Sequence, residues 1–135
     1  MSAQRVFLDM SVLVRYLAED DPPRALAASE LIDGPSDLVV STAVLVEAVH
    51  VLRTMYGIPN PWLAEALALF LNRDDVHLID ADRVTALEAI RGTVGESARR
   101  IPDALVAAAA ARARCDWIAA FDRDFRSPTI PVRLI

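Results

Sequence analysis

The chain has 135 residues, 54% of them hydrophobic, and a formal net charge of −5. That length and apolar content describe one domain, residues 1–135, with a sizeable core, and they exclude a disordered chain. Apolar runs such as WLAEALALFL at 62–71, interrupted by Glu65, are too short to span a bilayer.

All 14 basic residues are arginine. The absence of lysine excludes Schiff-base chemistry, a P-loop lysine and lysine-assisted phosphotransfer from an aspartate. Charge is unevenly spread: residues 1–90 hold 6 arginines and 14 acids, net −8, whereas residues 91–135 hold 8 arginines and 5 acids, net +3. The single cysteine, Cys115, has no internal partner, and the opening MSAQRVFLDM lacks the layout of a signal peptide. A reducing, cytoplasmic compartment is the expectation.

Val6-Phe7-Leu8 is a short apolar strand ending in Asp9, and SVLVRYLAE after it has helical spacing. Pro22-Pro23 starts a second helix that stops at Gly34-Pro35. Leu38 to Val40 is a second strand, and Ser41 or Thr42 can cap a helix running to Gly57. That helix is apolar enough to predict burial nearly all round. Asn60-Pro61 reads as an N-cap and first-turn pair for the next helix. Val76 to Ile79 is a third strand, and Asp80 or Asp82 caps a helix through about Arg91 or Val94. Pro102 opens an alanine-rich helix; Trp117 to Ala120 is a fourth strand and Val132 to Ile135 a fifth. Strands alternating with helices imply an α/β fold with a parallel sheet covered on both faces, whose functional crevice lies beyond the carboxyl ends of the strands.

Four acids stand beside apolar sequence where a lone carboxylate is costly: Asp9, Glu47, Asp103 and Asp122. Asp9 and Asp122 follow strands, and Asp103 opens the helix preceding the strand that leads to Asp122. Converging carboxylates repel unless a divalent cation neutralises them, so the pattern outlines a metal site. Each acid also has an ordinary alternative. Asp9 can cap a helix, and Asp103 lies in a first turn, where the dipole favours an acid by about 0.3–1 kcal/mol. Glu47 could share a solvated stripe with His50 and Thr54, although no arginine lies three or four residues away to pair with it. Asp122 or Asp124 could simply shape a loop. His50 and His77 lack zinc-site spacing, and Cys115 reads as a core residue.

The ordered set D-x-S after the first strand, STAVLVEAVHVLR, PDALVAAAA and FDRDF resembles the PIN-domain family, and is most similar to its VapC-type toxin ribonucleases. The resemblance covers nearly the whole chain. It implies a three-layer α/β/α fold with a five-stranded parallel sheet, endoribonuclease activity with Mg²⁺ or Mn²⁺, and a small VapB-like antitoxin whose C-terminal segment blocks the site. It makes Asp9, Glu47, Asp103 and Asp122 the acidic cluster, with Ser11 in support. Two positions depart from the family pattern: Ala120 stands where Thr or Ser is common, and Pro102 precedes the third acid.

On this reading Asp9 and Asp103 are inner metal ligands, completed by Glu47 and Asp122, with Asp124 in an outer position. Water rather than the ribose 2′-OH attacks, leaving a 5′-phosphate and a 3′-hydroxyl. Arg99, Arg100, Arg123 and Arg126 are candidates for phosphate contacts, each equally readable as a solvated charge. A phosphatase using Asp9 as nucleophile is disfavoured by Ser11 two positions on and by the lack of lysine. A PIN-like module that binds RNA or protein without cutting is the other alternative. The resemblance implies a short partner that presents a basic side chain to the acids, and apolar helical surface at 10–18 and 42–72, including Met55, Trp62 and Phe70, is the physical reason to expect such an interface and a homodimer.

Overall fold

Val6, Leu8, Leu38, Val40, Trp117 and Ala119 belong to one buried cluster, and Phe7, Val39 and Ile118 to another. The alternation follows from the two-residue period of a strand: neighbouring side chains enter opposite faces of one sheet. In the computed structural model, which describes residues 3–135, the strands are β1 Arg5–Leu8, β2 Asp37–Val40, β3 Val76–Leu78, β4 Trp117–Ala120 and β5 Val132–Leu134. They form a fully parallel sheet of order β3-β2-β1-β4-β5.

Among the described residues there are six helices, α1 Met10–Ala18, α2 Pro22–Ile32, α3 Thr42–Thr54, α4 Asn60–Leu71, α5 Arg83–Arg91 and α6 Arg100–Arg112, of which α5 packs on α6 and has no buried residue of its own. Helices α1 to α4 contribute Val12, Ile32, Leu52 and Phe70 to one cluster. The other face is covered by α6 through Val106, Ala109 and Ala110. Alanines keep α6 thin enough to lie close to the strands. The three-layer α/β/α architecture expected from the sequence is therefore present. Among the described residues no helix is long and apolar enough to cross a membrane.

The local chemistry explains most element ends. Asp9, Asp21, Ser41 and Asp82 each accept a backbone N–H at the start of a helix. Of the two acids offered for α5, Asp82 is the cap; Asp80 instead accepts from the Thr42 backbone N–H at 2.7 Å and its hydroxyl at 2.9 Å, tying α3 to the end of β3.

Several boundaries differ from expectation. Helix α3 ends at Thr54, and Gly57 takes a positive φ of 62° in the turn beyond it. Asn60 lies inside α4, with Pro59 at the cap position and no side-chain cap. Helix α6 begins at Arg100, so Pro102 occupies its first turn, where a missing N–H leaves no helical bond unmade. Helix α3 is not buried nearly all round: Val44, Ala48 and Leu52, four residues apart, face inward, while Val46 is 62% exposed. A helix lying on a sheet buries one stripe, however apolar the rest. Phe70 is likewise core rather than spare surface, packed near Tyr16 with ring centroids 6.3 Å apart.

Candidate active site at the switch point of the sheet

The chain runs outward from the central β1 to β2 and β3, then returns to β4 on the other side of β1. This reversal leaves a crevice beyond the carboxyl ends of β1 and β4, where open parallel sheets place their ligands. Asp9 is the first residue after β1, and its backbone N–H donates to the Ala119 carbonyl of β4 at 3.0 Å.

Only 8% of Asp9 is exposed. Its Oδ2 accepts the Ser11 backbone N–H at 3.3 Å and the Ser11 hydroxyl at 2.8 Å. The Ser11 oxygen in turn accepts the Phe121 backbone N–H at 3.0 Å, just past β4. Ser11 thus fastens the Asp9 carboxylate to the exit of the neighbouring strand, and supplies a bond there although Ala120 has no hydroxyl. Asp9 is a helix cap and also an acid at the crevice; one placement serves both.

Glu47, half-buried on α3, and Asp103, in the first turn of α6, complete a mutually repelling set. Burial raises the Asp9 carboxyl above its ordinary pKa; the hydrogen bonds from Ser11 oppose that rise, and the charge of Asp103 adds to it. Burial also raises Glu47, followed by the charges of Asp9 and Asp103. Three acids from three separated segments therefore share one electrostatic field. Asp103 carries compensation of its own: Arg100 lies 3.5 Å from its Oδ2, which also accepts the Arg126 backbone N–H at 3.2 Å.

Asp122 is exposed and accepts the Asp124 backbone N–H at 2.9 Å, as a turn-shaping aspartate does. Arg100 also donates to the Asp124 carbonyl at 2.7 Å, and the Arg126 guanidinium donates to the carbonyls of Arg123 and Phe125. These two arginines brace the 122–126 loop beside the acids. Arg99 and Arg123 are exposed. The i,i+3 spacing of Arg100 and Asp103 is a pairing signal legible in the sequence itself.

The donor set suits a hard divalent cation: carboxylates that repel one another gain most from a shared positive charge. Among the described residues, however, no three His, Cys, Asp or Glu side chains stand as a closed ligating group. The acids converge without closing. His77 pairs with Asp37 at 2.7 Å, in keeping with a structural role. Cys115 is buried, and burial pushes its thiol up to about 12, which removes it as a nucleophile.

Comparison with known proteins bears on the fold. The fold is similar to that of VapC20 of Mycobacterium tuberculosis, a sarcin-ricin loop cleaving toxin, with a TM-score of 0.70 and 21% identity over 89% of this chain and 92% of that one. It is also similar to VapBC2 of Rickettsia felis, solved bound to a DNA fragment from their promoter, with a TM-score of 0.67 and 15% identity over 97% and 98% of the two chains. No curated protein sequence matches the chain significantly. The PIN domain family model matches residues 6–130, and with that match, the parallel sheet order and the acids at its switch point, the chain belongs to the PIN-domain family.

Proposed function

We propose that the chain is a toxin endoribonuclease that hydrolyses RNA phosphodiester bonds with Mg²⁺ or Mn²⁺. The observation that carries this reading is that Asp9 and Glu47 are both raised, first by burial and then by neighbouring acids, Asp103 acting on both and Asp9 on Glu47. Such repulsion is costly in a fold that gains nothing from it. A divalent cation, when bound, would neutralise the acids and the phosphate and favour deprotonation of the attacking water.

Asp9 and Asp103 would hold that ion, with Glu47 and Asp122 completing the set directly or through water. Ser11 keeps the Asp9 carboxylate in one orientation. Arg99 and Arg123 are free to meet phosphates, whereas Arg100 and Arg126 must exchange loop contacts to do so. The likeness to VapBC2 supports a VapB-like antitoxin as the partner. The apolar groove of about 690 Å³ between Tyr16 and Leu17 on one side and Trp62 and Leu69 on the other offers that partner a seat. Spare apolar surface at Val46 and Met55 supports self-association into a dimer.

The test is cleavage of single-stranded or loop RNA by the purified, partner-free chain. Activity with Mg²⁺ or Mn²⁺ that is lost in chelator and in Asp103→Asn is the expected result; equal cleavage with and without chelator would overturn the metal mechanism. The neutralisation of Asp103 by Arg100 favours a second reading, a PIN module that binds RNA without cutting it. Mn²⁺ binding by the wild type that is lost in Asp103→Asn would decide against that alternative.

A further inference from the structure

A cavity of about 790 Å³ opens between α5, α6 and residues 126–129. The α6 side is built of Ala104, Ala107, Ala108 and Ala111, small side chains that leave a shallow, flat apolar wall. Glu88 and Glu96 line it as acceptors. So does Thr93, whose hydroxyl already donates to the Ile90 carbonyl at 2.7 Å and is left with acceptor capacity alone. Arg100 and Arg126 also line the cavity, and these are the two residues that contact Asp103. The cavity and the acidic site therefore share a border.

We propose that this cavity is a base-reading subsite that holds a guanine next to the phosphate handled at the acids. The inference rests on the endoribonuclease reading. Its volume lies in the range of small-molecule sites, and an alanine wall lets a planar ring approach closely. Carboxylates accept only, so they select a base edge with adjacent N–H donors. Guanine offers N1–H beside its exocyclic amine on the Watson–Crick edge, which is open in single-stranded RNA. Adenine and cytosine place an acceptor beside their single amino group, and the uracil imino group is flanked by two carbonyls that a carboxylate repels. An aliphatic occupant would desolvate Glu88 and Glu96 without pairing them. Arg100 and Arg126 supply positive charge for the attached phosphate on the side that faces Asp103.

The experiment measures binding of the four ribonucleoside 5′-monophosphates to the full chain in chelator, by calorimetry or amide shift changes, so that neither metal nor cleavage is involved. The expected result is a preference for the guanine nucleotide of roughly tenfold or more, abolished in the Glu88→Gln, Glu96→Gln double variant. Ala111→Phe, at a half-buried position, should block all four, with its melting curve confirming the fold. Equal binding of the four, binding of none, or a guanine preference unchanged in the double variant would overturn the subsite, even for a chain that cleaves RNA. Selective guanine binding by a chain that cleaves nothing with Mg²⁺ or Mn²⁺ would keep the subsite and remove the ribonuclease reading.

Discussion

The Arg100 guanidinium lies 3.5 Å from the Asp103 carboxylate while donating to the Asp124 carbonyl at 2.7 Å, so one cation ties an acid of the candidate site to the loop after β4. Both partners are partly exposed, and an exposed pair adds at most about 1 kcal/mol to stability. Its effect on charge at the site is more consequential. Arg100→Gln should therefore tighten Mn²⁺ binding several-fold, because the ion no longer competes with a resident cation for Asp103. Calorimetric titration checks this; weaker binding in the variant would mean that Arg100 assists the metal.

Asp9→Asn should raise the melting temperature of the metal-free chain at pH 7 by a few degrees, because asparagine keeps the cap while removing a repelled charge. The Asp9 carboxyl lies above its ordinary 3.8 in the folded chain, chiefly through burial. A carboxyl with a raised folded pKa binds more protons folded than unfolded. Its stability contribution therefore falls as pH climbs from the unfolded pKa through the folded one, and the penalty stays constant above that. The advantage of the variant should vanish below pH 3.8, where both chains are neutral at this position. Melting curves from pH 3 to pH 8 give the answer, and a less stable variant at pH 7 would show that Asp9 is a cap whose charge is welcome.

Ser11→Ala removes both the bond to Asp9 and the acceptor for the Phe121 N–H. Partners that orient a metal ligand typically matter by about 10–100-fold in affinity or activity. We expect a loss of that order in Mn²⁺ affinity and RNA cleavage, with a stability cost of about 1 kcal/mol. A stability cost with unchanged Mn²⁺ affinity would assign Ser11 to the fold alone.

Leu69 is 64% exposed beside the groove between α1 and α4. Leu69→Glu should leave the isolated chain folded and abolish inhibition by the proposed VapB-like antitoxin. Co-purification and inhibition assays measure this. Full inhibition of the variant would place the partner elsewhere.

How much was legible in the sequence is clearest residue by residue. Apolar runs of three or four residues predicted β1, β2 and β4, because a strand buried on both faces admits few polar positions, whereas β3 and β5, at the sheet edges, carry His77 and Arg133 within shorter apolar stretches. Capping residues predicted the starts of α1, α3 and α5, since their side chains act within three residues of their own position. Asp9 was assigned to the crevice on the same local grounds, as the residue that ends a central strand. Tertiary packing decided what depends on residues distant in the chain. It brought Glu47 and Asp103 to Asp9, left Asp122 exposed in its own turn, buried Phe70 and left Val46 in solvent. It also set Arg100 and Arg126 between the acids and a cavity whose walls come from three separate segments. Local sequence determines which residues can start a helix or fill a strand, through interactions a few residues long; which carboxylates share a field depends on the crossing of elements up to a hundred residues apart, and only the folded chain settles that.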